Sequence, residues 1–153
     1  MPIQVEARAH SKASPAMVYA VAADSSCYPR WSRIGSFEAV RPGEDGPYGV
    51  GSRRIFRTPP IKLLEEVVEL VPGRRVAYTV ISGLPFRGYR ADIELAAAAD
   101  GGTDIWWHNG FETTLPGTGW CWRAFMQGIF NEMTPQLARE AERIEQEQGS
   151  GRG

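Results

Sequence analysis

The sequence predicts an α+β domain in which seven antiparallel strands wrap around one long C-terminal helix, with two short helices after the first strand. Three observations lead there. Tyr89-Arg90-Ala91-Asp92-Ile93-Glu94-Leu95 alternates apolar and polar without a break, the period of a half-buried strand. Apolar runs between residues 34 and 113 are separated by turn signals rich in Pro and Gly, which join antiparallel neighbours and leave no room for the crossover helices of a parallel sheet. The chain then closes in a single amphipathic stretch. A sheet ending in such a helix buries it across its own concave face, and space left between them is a place for a ligand.

The elements follow in order. Ile3–Ala9 sets Ile3, Val5 and Ala7 against Gln4, Glu6 and Arg8, a strand pattern. Ser14-Pro15 then reads as an N-cap and a first helical residue, where a missing N–H costs nothing. The helix Ala16–Ala23 shows Met17, Val18 and Val21 as its apolar side, and Asp24-Ser25-Ser26 breaks it and caps a second short helix near Cys27–Trp31. Strands are expected at Phe37–Val40, Gly49–Arg57, Ile61–Leu70, Val76–Ile81, Arg87–Ala97 and Thr103–Thr113. The last helix spans roughly Trp120–Glu147, with Trp122, Met126, Ile129, Met133, Leu137 and Ile144 in one stripe and Phe125 and Phe130 widening it. Pro135 lies inside this pattern and deprives the Asn131 carbonyl of its helical partner, so a kink or brief interruption is expected. Residues 1–148 form a single domain, and 149–153 read as a disordered tail.

Composition narrows the function classes. A chain of 153 residues is one domain by length and can bury a full core without disulfides or metal. A net charge of −1 gives no electrostatic case for nucleic acid or an anionic membrane surface. Cys27 and Cys121 stand far apart and in no metal-ligand spacing, so free thiols are expected and no metal or cofactor is. The Met-Pro-Ile-Gln start carries no leader pattern, and no run approaches the roughly 18 apolar residues of a membrane span. The expectation is a soluble cytoplasmic domain.

Several local features share an order and spacing with a known group. They are Ser14-Pro15 with Val18-Tyr19, then Tyr28-Pro29-Arg30-Trp31, then Val50-Gly51-Ser52-Arg53. Glu65-Glu66-Val67-Val68 follows, with Pro72-Gly73-Arg74-Arg75, and then Gly101-Gly102-Thr103 with Trp107. Nearly the whole chain thus resembles the START-like superfamily that includes the birch-pollen allergens, and within it the bacterial polyketide cyclase/dehydrase and lipid-transport family. The resemblance implies a helix-grip fold with a cavity between sheet and helix. It is specific for fold, not for reaction.

Strand phase selects the candidate lining. Tyr89, Ala91, Ile93 and Leu95 share the inner face of one strand. Ile105, Trp107, Asn109 and Phe111 share that of the next, the resemblance placing Trp107 inside. Asn109 is an amide on an apolar face, to be bonded by a neighbour, a buried water or a ligand. Of Arg53 and Arg54 only one can point inward: Arg54 shares a face with Val50, Ser52 and Phe56, and Arg53 shares the other with Gly51, Ile55 and Arg57, the first being favoured because it buries a single charge. By resemblance, an inward arginine polarises a ketone and steers ring closure; alternatively Arg54 pairs with Glu65 or Glu66, neither of which can be phased. Tyr28, Trp31, Phe56, Tyr89, Trp122 and Met126 complete the expected wall, and ordinary core packing is the competing account of each. His108 falls on the outer face beside Trp106, where the two could form a patch for self-association as a homodimer.

The leading expectation is a cavity that binds a small hydrophobic, partly oxygenated molecule: a polyketide, lipid or aromatic metabolite. The alternatives are a cofactor-independent cyclase, aromatase or dehydrase using Arg54, a tyrosine and bound water, and a non-catalytic interaction or regulatory protein using the Trp106/His108 face.

Overall fold

The computed structural model describes residues 2–150. Its strands are β1 (Ile3–Ser11), β2 (Ser36–Arg41), β3 (Arg53–Thr58), β4 (Ile61–Val71), β5 (Arg75–Ser82), β6 (Phe86–Ala97) and β7 (Thr103–Thr113). They form one antiparallel sheet in the order β1-β7-β6-β5-β4-β3-β2. Every pairing but one joins sequence neighbours. The exception, β1 on β7, brings the first strand beside the last, with Ala7 opposite Trp107 and Val5 opposite Asn109.

Between β1 and β2 lie α1 (Pro15–Ala23), a 3₁₀ turn (Ser25–Cys27) and α2 (Tyr28–Trp31). Ser14 caps α1 by accepting from the Met17 N–H, and its hydroxyl donates to Glu145 Oε2 at 2.8 Å, so the cap also ties α1 to the end of the final helix. Asp24 caps the 3₁₀ turn through the Ser26 N–H. Gly83 in the β5–β6 turn has φ +115°, and a Cβ there would stand 2.0 Å from the Lys62 carbonyl oxygen, so only glycine fits.

Helix α3 runs from Gly119 to Ser150 without a break. The interruption expected at Pro135 is therefore absent. Phe130, Thr134, Leu137 and Ala138 are buried on both sides of it, and the Thr134 hydroxyl donates to the Phe130 carbonyl at 2.8 Å. Tertiary contact thus holds the helix through the site of one missing bond. Gly149 and Ser150 belong to α3 rather than to a tail, and residues 151–153 lie outside the described residues. Cys27 is buried and Cys121 exposed, both free. Among the described residues no helix is long and apolar enough to cross a membrane.

The way α3 meets the sheet is asymmetric. Its close backbone approaches are to β1, β7 and the short helices, not to β3, β4 or β5. Leu137, Ala138 and Ala141 are almost completely buried, and the Ser11 hydroxyl donates to the Ala138 carbonyl at 2.9 Å. Alanines let the axes come close, because interaxial distance follows the side chains at the contact. The N-terminal half presents Phe125, Met126, Ile129, Phe130 and Met133 instead, and it stands off.

Glu140 fixes this half of α3 to α2: it accepts from Arg30 at 3.1 Å and from Arg143 at 2.8 and 3.0 Å. Arg143, with Arg30 behind it, holds the Glu140 carboxyl below its usual range against the opposing effect of burial. A depressed carboxylate stabilises the fold above its unfolded value near 4.3 and loses that contribution as pH falls through the folded value. Glu140→Gln is therefore expected to cost about 1 kcal/mol at pH 7. The difference should shrink as pH falls below the unfolded value near 4.3 and on through the lower folded one, as measured by urea unfolding across pH.

Candidate functional site

The stand-off leaves a cavity of about 350 Å³ between the N-terminal half of α3 and strands β3, β4 and β5. Its deep wall is made by Tyr28, Phe56, Glu65, Tyr78 and Tyr89, all buried. Leu63, Val80, Met126, Ile129, Phe130 and Met133 form apolar sides. The mouth lies among Arg33, Thr58, Pro59, Pro60 and Phe125, which are exposed.

Of the residues expected to line the cavity, Tyr28, Phe56, Tyr89 and Met126 do so. Trp31, Arg54, Trp107, Asn109 and Trp122 are set back from it. Trp107 is fully buried, tilted against Phe130 at 5.3 Å and donating to the Tyr78 hydroxyl at 3.3 Å. It fills core because β7 lies where α3 docks tightly. Asn109 shares that position on the sheet; its amide donates to the Tyr89 hydroxyl at 3.0 Å, behind the wall rather than in it. Trp31 packs on Tyr28 at 4.8 Å, and Trp122 meets Phe86 edge-on at 5.2 Å.

Arg54 lies one layer behind the cavity. It and Glu65 are direct partners across the β3–β4 hairpin, and both are buried. Nε and Nη2 donate to Glu65 Oε1 at 3.0 and 2.9 Å, and Nη1 donates to the Ser25 hydroxyl at 2.7 Å. The guanidinium carbon sits 4.8 to 5.2 Å from the ring centroids of Phe56, Tyr78 and Tyr28. Planar stacking and a fork of donors suit arginine to this dry setting. Of the two accounts left open by the sequence, pairing with Glu65 is the one realised. Arg53 pairs with Glu66 on the outer face at 2.8 Å.

Glu65 is thus the buried charged group on the cavity wall, Arg33 and Glu132 lying toward its mouth. Burial raises its carboxyl above the ordinary range, and Arg54 pulls it back. Both Arg54 contacts use Oε1; Oε2 has no hydrogen-bond partner among the described residues. Burial also keeps Tyr28, Tyr78 and Tyr89 well above the usual phenol range, so all three remain O–H groups at neutral pH. Tyr28 spends its proton on the Ala22 carbonyl at 2.6 Å. Tyr78 and Tyr89 accept, from Trp107 and Asn109, and the Tyr78 hydroxyl also acts on Tyr89, holding its pKa down against burial.

Tyr78 was readable, since Val76, Tyr78 and Val80 alternate on one face of β5. Glu65 was not. The β4–β5 register shifts at Leu64/Glu65 and again at Val67/Glu69, and such irregularities erase a simple period.

The Trp106/His108 face is not a bare apolar patch. The Trp106 ring stacks on His108 at 3.9 Å with the Arg8 guanidinium 4.9 Å from its centroid, and its N–H donates to Glu6 at 2.9 Å. His108 in turn meets Glu94. Period placed both side chains outward, but the charged neighbours on β1 and β6 cover them.

A long helix gripped by a curved antiparallel sheet over an apolar cavity defines a START-like helix-grip domain. The chain belongs to the family described as polyketide cyclase / dehydrase and lipid transport, whose model matches residues 2–142. Among solved structures it is similar to a START superfamily protein from Mycobacterium smegmatis, with 17% identity, TM-score 0.71, and 94% of this chain and 97% of that one covered. A protein from Thermobifida fusca gives 23% identity and TM-score 0.77 over 94% and 95% of the two chains. Norcoclaurine synthase from Thalictrum flavum, in complex with a transition-state analogue, gives 12% identity and TM-score 0.77 over 95% and 97%. No curated protein matches the sequence.

Replacing Arg54 alone leaves the Glu65 carboxylate buried and unpaired. Arg54→Met should cost about 3–5 kcal/mol at pH 7, whereas the double change Arg54→Met with Glu65→Leu should recover most of it. The single variant should also regain stability on acidification, because its Glu65 titrates above the unfolded value and folding then favours the protonated acid. Urea unfolding of the variants at pH 7 and pH 5 checks both statements.

Proposed function

We propose that this protein binds a small, mostly apolar, partly oxygenated molecule, of the polyketide, lipid or aromatic-metabolite kind, in the cavity between α3 and β3–β5. One observation carries this reading: a cavity of about 350 Å³ with largely apolar sides, whose buried polar groups are Glu65 and the phenols at its deep wall and Gln136 on α3, with Arg33, Thr58 and Glu132 toward the mouth. That size and that distribution suit a ligand site, in which apolar walls supply affinity and a few fixed polar groups set orientation. Membership of a family that includes lipid transport and polyketide cyclisation supports it.

A neutral fluorescent probe such as N-phenyl-1-naphthylamine should bind at one per chain. Ile129→Trp, which fills the cavity from α3, should weaken it at least about tenfold without lowering the unfolding midpoint, since overfilling an empty site need not strain a packed one. A parental protein that takes up no probe, or a filled variant that binds it equally, would sink the reading.

Catalysis in the same cavity is the second reading, and the free oxygen of Glu65 favours it. Arg54 is committed to Glu65, so the role of polarising a ketone passes to the Tyr78 and Tyr89 hydroxyls, with Glu65 Oε2 placed to take a proton α to that ketone. Such a step needs no cofactor. Exchange of α-deuterium from a bound ketone tests it: a Glu65→Gln variant that exchanges at the parental rate removes Glu65 from any such chemistry.

A further inference from the structure

The deep wall of the cavity holds an unspent carboxylate oxygen beside two adjoining phenols, and this combination selects a functional group. The acceptor is Glu65 Oε2, left free because Arg54 addresses only Oε1. The donors are the Tyr78 and Tyr89 O–H groups, whose oxygens already accept from Trp107 Nε1 at 3.3 Å and Asn109 Nδ2 at 3.0 Å. Their rings lie 6.4 Å apart on adjoining strands, and the Glu65 charge acts on both. A buried polar group costs free energy unless it is bonded. A ligand that enters must therefore satisfy this wall or leave it dry and unpaired.

A hydroxyl does both parts: it donates to the carboxylate oxygen and accepts from a phenol. A ligand carboxylate cannot. It would bring a second negative charge against Glu65 in a low-dielectric setting, where like charges repel strongly. The nearest cation, Arg54, stands behind Glu65 and is already engaged by it and Ser25. The other cation on the wall, Arg33, lies at the mouth, 82% exposed and paired with Glu132. A bare hydrocarbon would fill the sides yet bury the Glu65 oxygen without a partner.

We infer that the cavity selects neutral apolar molecules bearing a free hydroxyl, which is held between Glu65 Oε2 and the Tyr78 and Tyr89 O–H groups, and that it rejects carboxylates of the same shape. This rests on the cavity-binding reading above and goes further by naming the group recognised and the group refused.

A matched series tests it: naphthalene, 2-naphthol and 2-naphthoate, titrated against the intact protein at pH 7. 2-Naphthol should bind about tenfold or more tighter than either of the others, since a site built to bond a hydroxyl discriminates against analogues lacking it. Tyr89→Phe and Tyr78→Phe keep the Arg54–Glu65 pair, and each should lower 2-naphthol affinity several-fold while naphthalene binds no more weakly than before. Naphthalene binding also reports that a variant is folded. Equal affinity for naphthalene and 2-naphthol, or tightest binding of 2-naphthoate, overturns hydroxyl selection but leaves cavity binding standing. Failure of all three to bind overturns both.

Discussion

The close docking of α3 on one side of the sheet governs the rest of this structure. Ala138 and Ala141 let the C-terminal half of the helix approach β1 and α1, where Ser11 and Ser14 bond to Ala138 and Glu145. The unbroken helix fixed there carries its other half across the concave face at a height set by larger side chains. It therefore clears β3, β4 and β5, and the vacancy falls over those strands. Over β7, where contact is tight, Trp107 and Phe130 meet and no space remains. Cavity and core are thus two outcomes of one docking geometry.

A second constraint operates at the cavity wall. Two charges taken out of water must be paired, or the carboxyl must give up its charge. The direct register of Arg54 opposite Glu65 supplies the pair, and Ser25 and three aromatic rings hold the guanidinium in place. The pair also ties the 3₁₀ turn to the sheet. What it presents to the cavity is the carboxylate, not the arginine. A site that would have been cationic if Arg54 had projected further is instead an acceptor flanked by phenols, and the chemistry it can recognise changes accordingly.

Much of the fold follows from local pattern. Ser14-Pro15 opens α1, Asp24 ends it, and the turn signals at Pro59-Pro60, Pro72-Gly73 and Gly101-Gly102 separate strands that are found where alternation places them. Alternation also turns His108 outward and lets only one of Arg53 and Arg54 face inward, and the structure makes it Arg54, the choice that buries a single charge on that face. Less of the site was legible. Tyr28, Phe56, Tyr89 and Met126 reach the cavity, but Trp107 and Asn109, with the same inward phase, do not. Glu65 lies next to a shift of register that no period anticipates. Pro135 shows the converse: a strong local signal for a break is overridden because packing on both sides holds α3 continuous.

By itself, then, the sequence determined which elements form, their order, and which side of β1, β6 and β7 faces the helix. These depend on capping, turn chemistry and side-chain period, all of which act within a few residues. Only the tertiary structure decided where the concave face stays empty and which buried polar atoms are left with something to bind. Those depend on how closely two distant segments approach, and that distance is fixed by the combined volumes and registers of side chains far apart in the chain.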